Sequence, residues 1–96
     1  MTEQVGDRVV VANSLIHSGV GPVEGARING WGVITEVDPD DDEYRYAVLF
    51  DILDVRLKDG TSAPERLSLA VQGTEGVWVE TNSVLGVTAF QNLEAT

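Results

Sequence analysis

Short alternations of apolar and polar residues dominate this chain, and they predict strands rather than helices. The stretch "GDRVVVAN" sets three consecutive valines between polar residues, which indicates a well-buried first strand at about Asp7–Asn13. The runs "WGVITEV" and "YRYAVLF" each alternate with a period of two, and the Pro/Asp segment between them is short. Two such runs in succession predict an antiparallel hairpin.

Beyond this hairpin the alternation changes phase at Asp51–Ile52, which predicts a bulge that curls the sheet. The runs "ERLSLAV" and "VWVET" predict two further short strands. Near the end of the chain, Val84–Thr88 is compatible with a strand and Ala89–Glu94 with a single helical turn. The pattern therefore predicts an all-β domain of five to six short strands, as a small closed barrel or a curled sheet.

One long segment, Ser14–Gly30, interrupts the alternation early in the chain. It contains four glycines and Pro22, and neither a helical nor a strand period continues across it. We expect a long Gly-rich loop whose apolar residues fold back onto the sheet, because long ordered loops in small domains are usually functional or mobile.

This order of strands resembles the SH3-like barrel superfold, in the outline of its KOW and Tudor-like domains. The resemblance covers about residues 5–60 and implies an SH3-like barrel over residues 1–96, with a C-terminal extension from about residue 77. KOW domains are usually basic and touch RNA, whereas this chain is acidic, and the segment after Gly60 exceeds a minimal barrel. The matching residues are Val5, Gly6, Asp7, Val9, Val11, Gly32, Val33, Ile34, Tyr46, Val48 and Phe50.

Sixteen acidic and six basic side chains give the 96-residue chain a net charge of −10. This charge argues against direct binding to nucleic acid or anionic membranes, since phosphate contacts depend on Lys and Arg. There is no cysteine, no signal-peptide pattern and no apolar run long enough to span a membrane. We therefore expect a cytoplasmic protein whose partners carry basic surfaces.

The most acidic stretch, "VDPDDDEY", invites a test for calcium binding. Asp38, Asp40 and Asp42 alternate as at the start of an EF-hand loop, which then needs glycine at its sixth position and glutamate at its twelfth. Glu43 and Leu49 occupy those positions, and strands flank the tract. We predict no metal site and no cofactor, and we interpret the tract as the tip of the hairpin.

Catalytic and phosphate-binding motifs are also missing from the sequence. His17 is the single histidine, and pairing it with Ser14 or Ser18 lacks any accompanying oxyanion-hole motif. The glycine-rich "GVGPVEG" has neither dinucleotide-binding nor P-loop spacing. We therefore do not expect an enzyme.

Aromatic residues beside the acidic tract favour protein binding, since Trp and Tyr are common interface anchors. We expect Tyr46 and Phe50 in the core, and we place one recognition edge for a basic partner along Ser14–Gly30, Trp31 and the hairpin tip. The predicted partner-binding residues are Trp31, Tyr44, Asp38, Asp40, Asp41, Asp42 and Glu43.

Such a module suits an accessory subunit, a regulator, or a phage-type inhibitor or structural protein. The alternative is an acidic nucleic-acid mimic that inhibits a DNA- or RNA-handling protein. An unpaired sheet edge would also permit a homo-oligomer.

Overall fold

In the part of the chain that the structure describes, five antiparallel strands form a single sheet, confirming the predicted all-β class. The computed structural model describes residues 3–17 and 21–86. Within these residues one helix lies between the third and fourth strands, and two short 3-10 turns, Gly21–Val23 and Thr81–Ser83, precede the second and fifth strands. The elements are β1 (Arg8–Leu15), β2 (Arg27–Val37), β3 (Tyr46–Arg56), α1 (Glu65–Gln72), β4 (Val77–Val79) and β5 (Val84–Gly86).

The strands lie in the order β4-β3-β2-β1-β5, with the predicted β2–β3 hairpin at the centre. The two edge strands do not pair with each other, so the sheet is curled but not closed. A single bridge between Ile16 and Val79 brings the end of β1 to β4. Of the two predicted shapes, the structure has the curled sheet.

A bend in β1 makes this contact possible. The register between β1 and β2 shifts between Val11 and Ser14, where Asn13 adopts a left-handed φ of 55°. β1 therefore continues to Leu15, and β2 already begins at Arg27. The prediction of a loop over the whole of Ser14–Gly30 is wrong, because both of its ends pair as strands and only its middle connects them.

The phase change predicted at Asp51–Ile52 is confirmed as a bulge in β3. Trp31 lies opposite Ile52, but the next residue of β2, Gly32, lies opposite Phe50, so Asp51 is the extra residue. Consequently Leu49 and Ile52 point to the same outer face of the sheet although three positions separate them. Phe50 points to the inner face, where it is buried.

The core occupies the concave side of the curled sheet and is almost entirely aliphatic. Tyr46 and Phe50 belong to it, as the alternation predicted, with exposed fractions of 4% and 6%. The hydroxyl of Tyr46 accepts a hydrogen bond from the Glu3 N–H at 3.3 Å. The buried cluster comprises Val9, Val11, Ile28, Ile34, Tyr46, Val48, Phe50, Val77 and Val79.

The segment "ERLSLAV" is helix α1, so the prediction of a strand there is wrong. An alternation of Leu67, Leu69 and Val71 suggested a strand, but Leu67 and Val71 are also four residues apart, which places them on one helical face. Val71 packs against the core, whereas Leu69 is 60% exposed. Pro64 precedes the first helical turn, and Gly73 ends the helix with a φ of 61°.

After α1 the chain supplies both edge strands of the sheet. β4 pairs with β3, and β5 pairs with β1, so Val77–Val79 and Val84–Gly86 belong to the sheet. The strand predicted at Val84–Thr88 corresponds to β5 as far as Gly86, while its end and the helical turn predicted at Ala89–Glu94 lie outside the described residues. Within residues 3–17 and 21–86, no helix is long and apolar enough to cross a membrane.

Candidate functional site

The acidic turn, residues 38–43, is organised by its own carboxylates. The Asp38 N–H donates to the Arg45 carbonyl at 2.8 Å, which ends the regular hairpin ladder. One carboxylate oxygen of Asp41 accepts the N–H groups of Glu43 and Tyr44 at 3.0 and 2.9 Å. These bonds turn the chain from β2 into β3, so part of the acidic composition serves the local fold.

Side-chain contacts further fix the turn. The carboxylate of Asp38 accepts the Asp40 N–H at 3.1 Å, and Arg45 donates to Asp42 at 2.7 Å. The Arg45 N–H in turn donates to the Thr81 hydroxyl at 3.0 Å, and the Thr81 N–H donates to the Glu43 carbonyl at 2.8 Å. The acidic turn is therefore tied to the 3-10 turn before β5.

The electrostatics of Asp41 reflect this role. The hydrogen bond from the Tyr44 N–H, followed by that from Glu43, holds the pKa of the Asp41 carboxyl below its usual value, and partial desolvation opposes them. Coulombic interactions with His17 and Arg45 lower the Asp41 pKa further. The ionised form of Asp41 is thus favoured, and its carboxylate accepts hydrogen bonds from the protein's own backbone.

Beside the acidic turn lies a shallow cleft of about 270 Å³, lined by His17, Asp38, Asp41, Tyr44 and Trp78. The centres of the His17 and Tyr44 rings lie 4.8 Å apart, and the ring planes make an angle of 55°. The backbone N–H of His17 donates to the Trp78 carbonyl at 3.3 Å. Desolvation first, and then the carboxylates of Glu80 and Glu43, raise the pKa of Tyr44.

Trp31 lies elsewhere, on the outer face of the sheet, where it is 47% exposed. It lies opposite Val10 of β1 and Ile52 of β3, and Val10 lies opposite Leu85 of β5. Directly opposed residues of antiparallel strands share a face, so these four side chains form one apolar row across four strands. Leu85 is 48% exposed and Ile52 is 56% exposed.

A second apolar pair, Val33 and Leu49, lies beside this row on the same face. At its margin, Arg8 donates to the carboxylate of Asp51 at 3.1 Å, and both side chains are largely exposed. We call this surface the Trp31 face; its residues are Val10, Trp31, Val33, Leu49, Ile52 and Leu85.

The two glycines that flank Trp31 explain how the sequence builds this face. A Cβ added to Gly32 would lie 2.1 Å from the Leu49 carbonyl oxygen, and one added to Gly30 would lie 2.0 Å from the Ile52 carbonyl oxygen. The Phe50 ring also approaches Gly30 from the inner side. Glycine is required here because the bulged β3 crosses β2 closely, and Trp31 between them points outward.

The structure brings some of the predicted partner-binding residues together and separates others. Tyr44, Asp38 and Asp41 line one cleft, and Asp40, Asp42 and Glu43 complete the adjacent turn. Trp31 lies on β2, seven residues before Asp38. An extended segment of that length spans roughly 20 Å. The predicted single recognition edge is therefore two separate surfaces.

Sequence reasoning missed Val10, Ile52 and Leu85 as companions of Trp31. The predicted bulge was a signal for Ile52, since it moves that residue to the outer face. For Val10 and Leu85 the strand order and register were needed, which no local pattern contains. The cleft residues His17 and Trp78 likewise meet through the bridge between the end of β1 and β4.

Of the residues considered for catalysis, Ser14 has a local role in the structure. The buried Ser14 hydroxyl donates to the Leu15 carbonyl at 2.7 Å and accepts the Glu80 N–H at 2.8 Å. Ser18 lies outside the described residues. No cluster of three or more histidine, aspartate or glutamate side chains in the part of the chain that the structure covers could hold a metal ion.

Comparison with known proteins gave no relative of this chain: no family model, no curated protein and no solved structure matches it.

Proposed function

We propose that this protein is a non-enzymatic protein-interaction module that binds its partner through the Trp31 face. The small curled sheet is compatible with the SH3-like barrel that the sequence resembles. Because one fold carries many functions, the proposal rests on this surface and not on the fold class.

The apolar row Leu85–Val10–Trp31–Ile52 is the observation that carries the proposal. The solvent-facing side of an antiparallel sheet is normally polar, because the polar residues of each alternating strand point toward solvent. Here four adjacent strands each place an apolar side chain at the same level of that face. A contiguous exposed apolar surface with a central tryptophan is typical of a protein-binding site.

The charge of the chain supports a partner with a basic surface around this contact. The net charge is −10, and the acidic turn places several exposed carboxylates at one end of the β2–β3 hairpin. Charges at such a distance from an apolar anchor mainly accelerate encounter and discriminate between partners. We assign the binding energy to the Trp31 face and the steering of a basic partner to the acidic turn.

An accessory or regulatory subunit of a larger cytoplasmic assembly, or a phage-type inhibitor, is the role that fits such a module best. The exposed edge of β5 and the apolar face would also permit self-association. Sedimentation at several concentrations distinguishes these cases, because a partner-binding module remains monomeric when pure.

The test compares three immobilised proteins in extract from the native cell: the wild type, Trp31→Ala, and the triple variant Asp38→Asn, Asp40→Asn, Asp42→Asn. A partner identified by quantitative mass spectrometry should bind to the wild type and the triple variant and be lost with Trp31→Ala. For a central tryptophan anchor the affinity should fall by roughly 30- to 1,000-fold. The triple variant should mainly slow association and reduce its salt dependence.

The same variants test the alternative role as a nucleic-acid mimic. Mimicry requires the carboxylates themselves, so the triple variant would lose the partner and duplex DNA would compete for it. Binding that survives Trp31→Ala, or that disappears in the triple variant, would contradict the proposed function.

A further inference from the structure

A cleft of about 460 Å³ separates helix α1 from the outer edge of β3. Among the described residues, β4 pairs with β3 only at Tyr46–Val48, and the rest of that edge has no neighbouring strand apart from an isolated bridge between Arg56 and Ser62. This part of the edge faces α1 across the cleft. The volume is sufficient for a few residues of peptide. This α1–β3 cleft contacts the Trp31 face at Ile52 alone.

Two groups occupy the backbone of this edge at either end of the cleft. At one end the Gln72 amide imitates a neighbouring strand: its Oε1 accepts the Phe50 N–H at 2.6 Å and its Nε2 donates to the Phe50 carbonyl at 3.3 Å. At the other end the Ala63 N–H donates to the Val55 carbonyl at 2.8 Å.

Between these ends one residue of the edge remains open. Hydrogen-bonding direction alternates along a strand, so the N–H and C=O of Leu53 point away from β2, as those of Val55 do. No group among residues 3–17 and 21–86 bonds to the Leu53 backbone from that side. Leu53 lines the cleft and thus offers one donor and one acceptor with the spacing of a β-ladder.

The walls of the cleft combine apolar surface with carboxylates. Leu69, which is 60% exposed, and Ile52, which is 56% exposed, both line it. Asp51, Asp54 and Glu65 also line it, and no basic side chain does. Asp51 and Asp54 have exposed arginine partners, Arg8 and Arg56, but Glu65 has no ion pair or hydrogen bond within the described ranges.

We propose that the α1–β3 cleft binds an extended peptide segment that carries an arginine or lysine side chain. One residue of the peptide pairs with the N–H and C=O of Leu53, an apolar neighbour packs against Leu69, and the basic side chain approaches Glu65. Main-chain pairing at an open strand edge supplies affinity in such complexes, and the side chains supply selectivity. This binding site goes beyond the proposed function, because it shares only Ile52 with the Trp31 face.

The test is a titration of the ¹⁵N-labelled full chain, followed by amide chemical shifts, with the blocked peptide acetyl-Ala-Leu-Arg-Ala-amide. We expect saturable shifts at Leu53, Ser68 and Gln72, with a dissociation constant on the order of 1 mM for so short a flexible ligand. In this peptide the leucine is the apolar neighbour and the arginine is the residue that pairs with Leu53. Replacing arginine by glutamate, or methylating the main-chain nitrogen of the arginine, should each abolish saturation, since one removes the charge match and the other the main-chain donor to Leu53.

Two variants on α1 form a matched pair. Leu69→Lys removes an apolar contact in the cleft and introduces a positive charge that repels the basic side chain of the peptide. The affinity for the peptide should therefore fall roughly tenfold or more. Ala70→Lys adds the same charge at the next exposed position of the helix, outside the cleft, and should leave the affinity unchanged. Glu65→Gln should weaken binding about two- to fivefold, the effect of an exposed ion pair.

Shifts that saturate only with the arginine peptide, and that Leu69→Lys but not Ala70→Lys removes, would support the proposal. Absence of saturation, equal shifts with the glutamate peptide, or shifts centred on Trp31 would overturn it. A failure here is distinguishable from failure of the proposed function, because Trp31→Ala leaves the α1–β3 cleft intact.

Discussion

The acidic turn and the Trp31 face are the two conspicuous surfaces of this molecule, and they differ in what they already contact. In the acidic turn, Asp38 and Asp41 accept backbone N–H groups, and Asp42 pairs with the nearby Arg45. On the Trp31 face, Trp31, Ile52 and Leu85 are each about half exposed. Local hydrogen bonding explains many of the carboxylates in the acidic turn, but it does not explain the exposed apolar residues of the Trp31 face.

This difference shows why a conspicuous sequence pattern is a weak guide to a binding site. Six residues with five carboxylates attract attention, yet their like charges are solvated at a hairpin tip and several of them stabilise that tip. The apolar row is inconspicuous in the sequence because its members are all 21 or more residues apart along the chain. It exists only once the sheet has formed.

Apart from the buried-aromatic control Phe50→Ala described below, the largest expected effect comes from Gly32→Ala, which disrupts the sheet beneath the Trp31 face. The new Cβ would meet backbone atoms of Leu49 and Phe50, which cannot move without shifting β3. We expect a loss of about 3 kcal/mol in the free energy of unfolding, measured with urea. Gly60→Ala is the control, since its Cβ meets nothing within 4 Å and only its φ of 91° is strained.

For Gly60→Ala we expect a loss of only about 1 kcal/mol. Equal losses in both variants would contradict the close approach of β3 to Gly32.

The next effect concerns Gln72, which holds α1 against β3 at the edge of the Trp31 face. Gln72→Ala leaves the Phe50 N–H and C=O without their partner and should cost about 1–3 kcal/mol in the free energy of unfolding. Gln72→Glu retains the acceptor for the N–H but not the donor for the carbonyl, so its loss should be smaller. If Gln72→Ala left the free energy of unfolding unchanged, the Gln72 amide would not support this edge of β3.

Trp31→Ala should have a small effect on folding despite the size of the side chain. Because the tryptophan is 47% exposed and contributes through cross-strand neighbours, we expect a loss of about 1 kcal/mol or less. Phe50→Ala is the matched control for a buried aromatic residue and should lose about 3–5 kcal/mol. Similar losses would place Trp31 in the core and would remove the contrast between the two surfaces.

The smallest effect is the pH dependence of the acidic turn. The folded protein lowers the pKa of Asp41, so its carboxylate stabilises the fold above the usual aspartate pKa of about 4. That contribution is lost as the pH falls through the lower pKa of the folded state. The difference in melting temperature between the wild type and Asp41→Asn should therefore be present at neutral pH and vanish in acid.

Asp40→Asn is the control for this measurement, since the Asp40 side chain accepts no hydrogen bond within the described residues. It should leave the pH dependence of the melting temperature unchanged. An equal pH dependence of Asp41→Asn and the wild type would show that the turn does not hold the Asp41 carboxylate.

Much of the fold was predictable because it depends on local alternation. The β2–β3 hairpin, the bulge at Asp51 and the burial of Tyr46 and Phe50 all follow from the period of two and its single phase change. Helix α1 was not predictable from a seven-residue apolar pattern that suits both periods.

The candidate sites were less predictable for a related reason. The Asp and aromatic residues near the hairpin tip are neighbours in sequence and so could be grouped in advance. The association of Val10 and Leu85 with Trp31 depends on which strands are adjacent and on their register. The open backbone of Leu53 depends in addition on where the short strand β4 stops.

The most direct test of the central claim is site-specific photo-crosslinking in the native cell. A p-benzoylphenylalanine probe is placed at Ile52 on the Trp31 face, which leaves Trp31 itself intact, or at Asp40 in the acidic turn. We predict a single prominent adduct from position 52 that is lost when Trp31→Ala is added, and at most a weak adduct from position 40. A prominent adduct from position 40 with none from position 52 would contradict the account.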